Sequence, residues 1–168
     1  MSDINNYQLG VCAVTFDNVA LGYSKGGVEV TYEPEYHTAM VDQYGNSPID
    51  AFLTGEVWKA KVPLAESTID NLLVAIPNAT QAVADERATI GSKPGVRMST
   101  LAAQLVLTPA DGDKTDEIVF HKAVVLSPLT VVTKNDEPRI YEVEFTAFVD
   151  TSKADGNLFG HFGDSAAA

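Results

Sequence analysis

The sequence predicts a mostly β protein: one antiparallel β-sandwich or barrel-like domain with a single flanking α-helix. Three observations support this fold class. Apolar and polar residues alternate along several short segments, glycines and prolines separate those segments, and only one segment has clear helical periodicity. The chain has 168 residues, which fits one domain over 1–168 with short extensions at 1–9 and 155–168.

The first half of the chain contains several segments with strand character. Val11 to Leu21 is a mixed apolar run followed by turn-forming residues. Val28 to Glu33 alternates with a period of two, and Pro34 then indicates a sheet edge or a bend. Tyr36 to Val41 is a candidate for the next strand. Glu56 to Leu64 alternates again, and we expect its apolar side to enter the core.

One helix is predicted from about Thr68 to Ile76. Ser67 and Asp70 form a variant of the capping box, in which the Ser67 hydroxyl accepts from the third helical N–H. Pro77 ends the helix, and Thr80 to Ala88 is either a second short helix or part of a surface loop. The apolar stripe of the predicted helix consists of Ile69, Leu72, Leu73 and Ile76.

The second half returns to strand patterns. The clearest strand is Arg139 to Asp150, in which Tyr141 begins the apolar side while Glu142 and Glu144 lie on the other side. The remaining predicted strands are Leu101 to Leu107, Ile118 to Leu126, and a short one between Pro128 and the turn at 135–138.

Charge and hydropathy exclude several classes of function. The chain has 23 acidic and 11 basic residues, for a formal charge of −12, and the basic residues are scattered. We therefore do not expect the protein to bind nucleic acid through phosphate contacts or to bind an anionic membrane surface, because both need a basic patch. The first ten residues lack the apolar centre of a signal peptide, and no apolar run approaches the ~20 residues of a membrane span. We expect synthesis and folding in the cytosol, or export by a route that the sequence does not show.

The sequence offers no constellation for catalysis or for binding a cofactor or metal. The histidines, His37, His121 and His161, have no partner at metal-ligand spacing. Cys12 is the single cysteine and lies in an apolar pattern, which favours a buried structural thiol. The acidic turn from Asp111 to Glu117 does not place its glycine as a calcium loop requires. We expect no enzyme, and a function carried by surfaces.

A set of short segments recurs here in a fixed order along the chain. In the first half these segments are Gly26 to Val30, Val41 to Pro48, Thr54 to Glu56, and Val62 to Leu72, and the second half adds GSKPG, LVLTP and YEVEFTA. Taken in order, they resemble the tail tube (major tail) proteins of tailed bacteriophages. The resemblance covers about Gly10 to Gly163, which is nearly the whole chain.

The resemblance implies a fold and an assembly. Tail tube proteins share a β-sandwich-like domain with a flanking helix, similar to the type VI secretion tube protein. Six copies close into a ring, and rings stack into a hollow tube through which genomic DNA passes into the host. The implied partners are further copies, the tape-measure, baseplate and terminator proteins, a sheath protein where the tail contracts, and double-stranded DNA in transit without specific binding. The implied location is the virion tail, assembled in the host cytoplasm.

The resemblance assigns one loop to the assembly, and the residues themselves suggest further surface candidates. The loop from Asp42 to Asp50 corresponds to the contact between rings, and the alternative is a plain surface hairpin. Phe159 and Phe162, in the C-terminal extension, are expected to pack on this subunit or on a neighbour. The candidate contact residues of the loop are Asp42, Gln43, Tyr44, Asn46 and Ser47. The candidate lumen or inner-rim acids are Glu29, Glu33, Glu142 and Glu144, with an outward-facing position, toward solvent or a sheath, as the alternative.

Two other functions stay open. The first is another tail component on the same fold, such as a terminator or baseplate tube protein. The second is a β-sandwich that binds a ligand such as a carbohydrate, and such sites present exposed aromatic side chains around a groove. Trp58 lies in a core-facing pattern, so the sequence predicts no aromatic platform.

Overall fold

The computed structural model describes residues 10–81, 87–91, 94–110, 112, 114–131 and 139–164. Within these ranges the chain is mostly β with a single α-helix, which confirms the predicted fold class. The helix α1 is Ile69–Ala75, and the strands are β1 Cys12–Phe16, β2 Val19–Ala20, β3 Glu29–Met40, β4 Pro48–Leu64, β5 Ala79–Gln81, β6 Ala88–Ile90, β7 Ala103–Pro109, β8 Ile118–Val125, β9 Tyr141–Ala147 and β10 Gly160–Phe162.

Eight of these strands form one antiparallel sheet in the order β2-β1-β7-β8-β9-β4-β3, with β10 added beside β8. One edge of β8 is shared, because residues 118–120 pair with β10 and residues 123–125 pair with β9. Phe16 of β1 packs on Phe145 of β9 at a ring distance of 5.2 Å, although two strands separate them in the sheet. The sheet therefore curls over one core.

The alternation of apolar and polar residues in the sequence matches the alternation of buried and exposed residues in the strands. Ala60, Val62 and Leu64 of β4 lie in the core, as predicted. Along β9, every second residue from Tyr141 to Ala147 is buried, and the residues between them are exposed or half-buried. Burial of these side chains is the main stabilising contribution to the fold, at about 25 cal/mol per Å² of apolar surface removed from water.

Two predictions about the first strands need correction. Val11 to Leu21 is a tight hairpin, because Asp17 and Asn18 both adopt positive φ (50° and 62°) between β1 and β2. Such left-handed pairs are typical of two-residue hairpin turns. The segments before and after Pro34 form one continuous strand, β3, rather than two. A proline fits there because β3 is the edge strand, as the sequence had suggested.

The helix begins one residue later than the predicted capping box. Thr68 is the N-cap, and its hydroxyl accepts from the N–H of Asn71 at 3.2 Å. The Ser67 hydroxyl instead donates to the carbonyl of Arg139 at 3.4 Å. The most buried helical residues are Asn71 and Ala75, whereas the predicted stripe is half-buried.

Asn71 attaches the helix to the sheet. Its side-chain amide donates to the carbonyls of Leu21 at 3.0 Å and of Glu66 at 2.9 Å. A buried amide left without these acceptors would cost roughly 1–3 kcal/mol, so the pairing fixes the helix position.

Three other expectations differ from the structure. The described ends of Thr80 to Ala88 belong to β5 and β6, which pair as a two-stranded sheet, so the helix alternative is wrong there; residues 82–86 lie outside the described ranges. Residues 128–131 form no strand, and 132–138 lie outside the described ranges. The glycine-rich C-terminal segment contains β10, which the sequence did not predict.

Asp150 stabilises the turn that precedes β10, the strand that pairs with β8. Its carboxylate accepts from Lys122 Nζ at 2.9 Å and from the Ser152 hydroxyl and N–H at 2.8 and 3.1 Å. The hydrogen bond from Lys122, followed by those from Ser152, lowers the pKa of Asp150 to about 2. The Asp150 N–H donates to the carbonyl of Leu158 at 2.8 Å, just before β10 begins.

Gly160→Ala should destabilise the protein, because a methyl group at Gly160 would overlap the backbone carbonyl of Val119 in β8. We expect a loss of roughly 1–3 kcal/mol in the free energy of unfolding, measured by urea denaturation. Gly91→Ala is the matched control, because the space around Gly91 is open. Equal unfolding midpoints for the two variants would contradict the packing of β10 against β8.

The stabilising effect of Asp150 should disappear in acid. The carboxyl has an ordinary pKa of 3.8 when unfolded and about 2 when folded, so folding favours the charged form. Its stabilisation is therefore complete above about pH 4 and is lost as the pH falls through 2. Urea midpoints of the wild type and Asp150→Asn should differ above pH 5 and converge near pH 2. Asp155→Asn, at an exposed turn, should show no such convergence.

Candidate functional site

The longest two strands extend beyond the rest of the sheet. β4 pairs with β9 only from Lys59 to Leu64, whereas its pairing with β3 continues to Pro48. Residues 35–54 therefore form a two-stranded arm, which reaches roughly 20 Å from its base at ~3.4 Å per residue. Every residue of the arm is exposed except Ala39 and Val41, which are half-buried. An isolated two-stranded ribbon is marginally stable, so this arm is suited to pack on another molecule.

The predicted inter-ring loop is the tip of this arm. A 3-10 turn from Asp42 to Tyr44 and a positive φ of 62° at Gly45 reverse the chain. The loop is shorter than predicted, because β4 begins at Pro48. All five predicted contact residues are exposed: Asp42, Gln43, Tyr44, Asn46 and Ser47.

A bulge at Thr54 determines which side of the arm is apolar. Glu35 pairs with Gly55, but the next residue, Tyr36, pairs with Leu53, so Thr54 is an extra residue in β4. Alternate residues of a strand share a side, which places Tyr36 on the side of β3 that faces the core. Tyr36, Met40 and Leu53 form an apolar strip on that side, each more than half exposed. Sequence periodicity missed the strip because the bulge breaks it.

The four predicted acids share one face of the sheet, opposite the core. Glu29 pairs with Lys61, which in turn pairs with Glu144 of β9, so the three lie side by side. Glu33 and Glu142 belong to the same face by alternation. Glu35 also lies there and was not predicted. We call the five glutamates the acidic face: Glu29, Glu33, Glu35, Glu142 and Glu144.

Two lysines partly neutralise the acidic face. Lys59 Nζ lies 3.1 Å from a carboxylate oxygen of Glu33, and Lys61 Nζ lies 3.3 Å from one of Glu142. Five carboxylates and two ammonium groups leave three net negative charges. Because both ion pairs are partly exposed, they contribute little to stability, and their removal is not expected to unfold the sheet.

The free edge of β3 is a second surface suited to assembly. Within the described ranges β3 pairs on one side only, with β4, and so ends the sheet. The opposite end is β2, with only two residues. A long edge strand presents a row of backbone donors and acceptors to which another strand can add.

An aromatic cleft of ≈ 460 Å³ lies at the base of the arm. The ring of Trp58 packs edge-to-face against the buried ring of Phe120, with 5.4 Å between the ring centroids. It also packs against Tyr32 and Phe162, with centroid distances of 5.9 and 5.2 Å. Tyr32, Trp58 and Phe162 all line the cleft. Trp58 packs against the core, as its alternation predicts, but its ring also borders a cleft that the sequence did not predict.

One carboxylate lies among these rings. The Tyr32 hydroxyl donates to Glu56 Oε1 at 2.8 Å, and this hydrogen bond raises the pKa of the tyrosine. Among the described residues that line the cleft, Glu56 is the one that carries a charge. Of the two C-terminal aromatics, Phe159 packs against the core of its own chain, whereas Phe162 is 62% exposed despite its contact with Trp58.

Within the described ranges the remaining chemically active side chains form no further site. His121 and His161 lie with ring centroids 5.5 Å apart, and burial lowers the pKa of His161. Cys12 is half-buried, and burial raises the pKa of its thiol, which disfavours the nucleophilic thiolate. In the described part of the chain no three potential metal ligands cluster. Over the same residues no helix combines the length and apolar character needed to span a membrane.

Comparison with known proteins yields no assignment to a family. No protein-family model matches the chain, and no curated protein matches it either. The arm, the acidic face and the open edge of β3 are therefore the features from which a function is inferred.

Proposed function

We propose that the chain is a structural subunit of a bacteriophage tail tube, which closes with copies of itself into six-membered rings that stack into a hollow tube. The arm is the single observation that carries this proposal. Nearly all its side chains are exposed, and no part of the chain that the structure describes covers the apolar strip of Tyr36, Met40 and Leu53. Contiguous exposed apolar surface of this kind marks a protein interface.

Ring closure is supported by the two unlike ends of the sheet. β3 offers a long open edge, whereas the short β2 end exposes the surface of β1 and β2. A contact between two different patches is heterologous, and it closes into a ring when the rotation between copies divides a full turn. In this arrangement each copy adds its neighbour to the edge of β3, which removes the unpaired backbone groups from water.

Stacking of rings is the role we assign to the arm. The arm projects beyond β9, so its apolar strip can lie against a copy in the next ring while the tip residues contact that copy through polar groups. Tyr44 at the tip is 68% exposed and combines a large apolar ring with a polar end. The exposed area of the strip would be buried only after assembly.

The acidic face is assigned to the lumen. Six copies carry six times −12, or −72, so a ring is strongly anionic before counterions are considered. A wall that carries carboxylates releases no counterions from DNA phosphates, and the polymer is free to slide. The alternative position, on the outside of the tube, would place the same face against solvent or a sheath.

Negative-stain electron microscopy of the purified protein at high and low concentration tests the proposal. Hollow tubes built from sixfold rings are the expected result. Single rings at every concentration would favour the second candidate, a terminator, which caps a tube and does not polymerise. Monomers at every concentration, including in the presence of preformed tube ends, would contradict both.

Replacing Tyr36 and Leu53 with serine should prevent stacking without unfolding the subunit, because both side chains are exposed in the free chain. We expect the critical concentration for tubes to rise by at least about tenfold, measured by sedimentation. The matched control replaces His37 and Phe52, which form the adjacent pair on the opposite side of the arm. Loss of tubes in both double variants would contradict the assignment of the strip.

Replacing Glu142 and Glu144 with lysine should slow the passage of DNA but permit assembly. The change converts two lumen carboxylates per copy to ammonium groups, which hold phosphates by counterion release. Retention of DNA fragments by sheared tubes should increase, and it should fall steeply with added salt. The control reverses Asp70 and Asp155, two exposed acids in α1 and in a turn. Equal retention by both variants would place the acidic face outside.

A further inference from the structure

We propose that the aromatic cleft at the base of the arm is a receptor for an arginine side chain on a basic segment of a partner protein. The site consists of Tyr32, Trp58, Phe162 and Glu56. The inference does not rest on tube assembly, because one copy supplies all four side chains.

The arrangement of the rings selects a compact cation over a flat sugar ring. The planes of Tyr32 and Trp58 are inclined at 82°, and those of Trp58 and Phe162 at 55°. Rings with centroids 5.2–5.9 Å apart touch one another, so a cation would lie in the cleft against their open sides rather than between them. Trp58 is coplanar with neither Tyr32 nor Phe162, so these rings form no extended flat surface of the kind on which a chain of sugars stacks.

The charge of the cleft selects the same ligand. Glu56 brings a carboxylate into a lining that is otherwise apolar or uncharged, so an occupant with a positive group is favoured. The hydrogen bond from Tyr32 occupies Oε1 and orients the carboxylate, while no hydrogen bond from a described residue is assigned to Oε2. A guanidinium can stack on an aromatic ring and donate to a carboxylate at once, which a lysine ammonium does less well.

The cation is expected from a different protein. The chain has 23 acidic residues against 11 basic ones, and only three of its basic residues are arginines. A chain with a net charge of −12 attracts a basic segment at long range, which favours a partner richer in arginine than the chain itself. The cleft is also supported from below by the buried ring of Phe120, so it exists before any ligand arrives.

Trp58 is the single tryptophan of the chain, so its fluorescence reports directly on the cleft. The full-length protein is titrated with N-acetyl-arginine amide and, separately, with N-acetyl-citrulline amide, which has nearly the same shape but no charge. We expect a saturable change in Trp58 emission with the arginine probe, with a dissociation constant of about 1 mM, and at least about tenfold weaker binding of the citrulline probe.

Two variants test the residues. Glu56→Gln should weaken the arginine probe about tenfold, and Phe162→Leu a few-fold, while thermal unfolding confirms that both remain folded. Glu33→Gln is the matched control, because Glu33 lies on the opposite side of the same ribbon and should leave binding unchanged. Equal binding of the two probes, no response to arginine, or a response to maltotriose in place of arginine would overturn the proposal.

Discussion

The pairing of β4 with two neighbours along its inner part and with one along its outer part determines the rest of the structure. β9 ends opposite Lys59, and beyond that residue β4 has only β3 beside it. The ribbon therefore leaves the sheet as the arm. Where β9 ends, β10 takes its place along β8, and Phe162 of β10 reaches Trp58 across the gap. The arm and the aromatic cleft thus both arise because β4 extends beyond the end of β9.

A single alternation serves two purposes in this sheet. On one side of β4 and β9 it supplies the core, and on the other side it gathers carboxylates from distant parts of the chain. Lys59 and Lys61 lie on the same face and reduce the repulsion between the carboxylates. The face can therefore remain anionic without disrupting the sheet. The side chains that stabilise the sheet are therefore separate from those that are open to other molecules, and we expect substitutions on the acidic face to have little effect on folding.

The parts of the fold that could be predicted are those in which local burial sets the periodicity. The inner part of β4 and β9 show their buried sides in the sequence, because alternate residues there face the core. The helix α1 could be predicted, but its buried residues, Asn71 and Ala75, could not. The grouping of the acids followed from the same alternation once the pairing of β4 with β3 and β9 was known. The residues of the tip were recognised because turn-forming residues cluster there.

The remaining features depend on contacts between segments far apart in the chain. The outer part of β4 has no buried side, so its sequence has no alternation to read, and the bulge at Thr54 removes what regularity is left. β10 has three residues and exists only because β8 offers it an edge. The cleft joins Trp58 to Phe162 through tertiary packing, which a pattern around Trp58 alone cannot reveal.

Pro34 gives the open edge of β3 a further property. The carbonyl of Glu35 accepts from the Thr54 hydroxyl of β4, so alternation directs the backbone of Pro34 away from β4 and toward the free edge. A proline has no N–H, so a strand that adds along β3 meets a position without a donor. A fibril needs an uninterrupted ladder that repeats from chain to chain. The edge is consequently a poor template for amyloid-like growth, while a neighbour shaped to the interruption can still add to it.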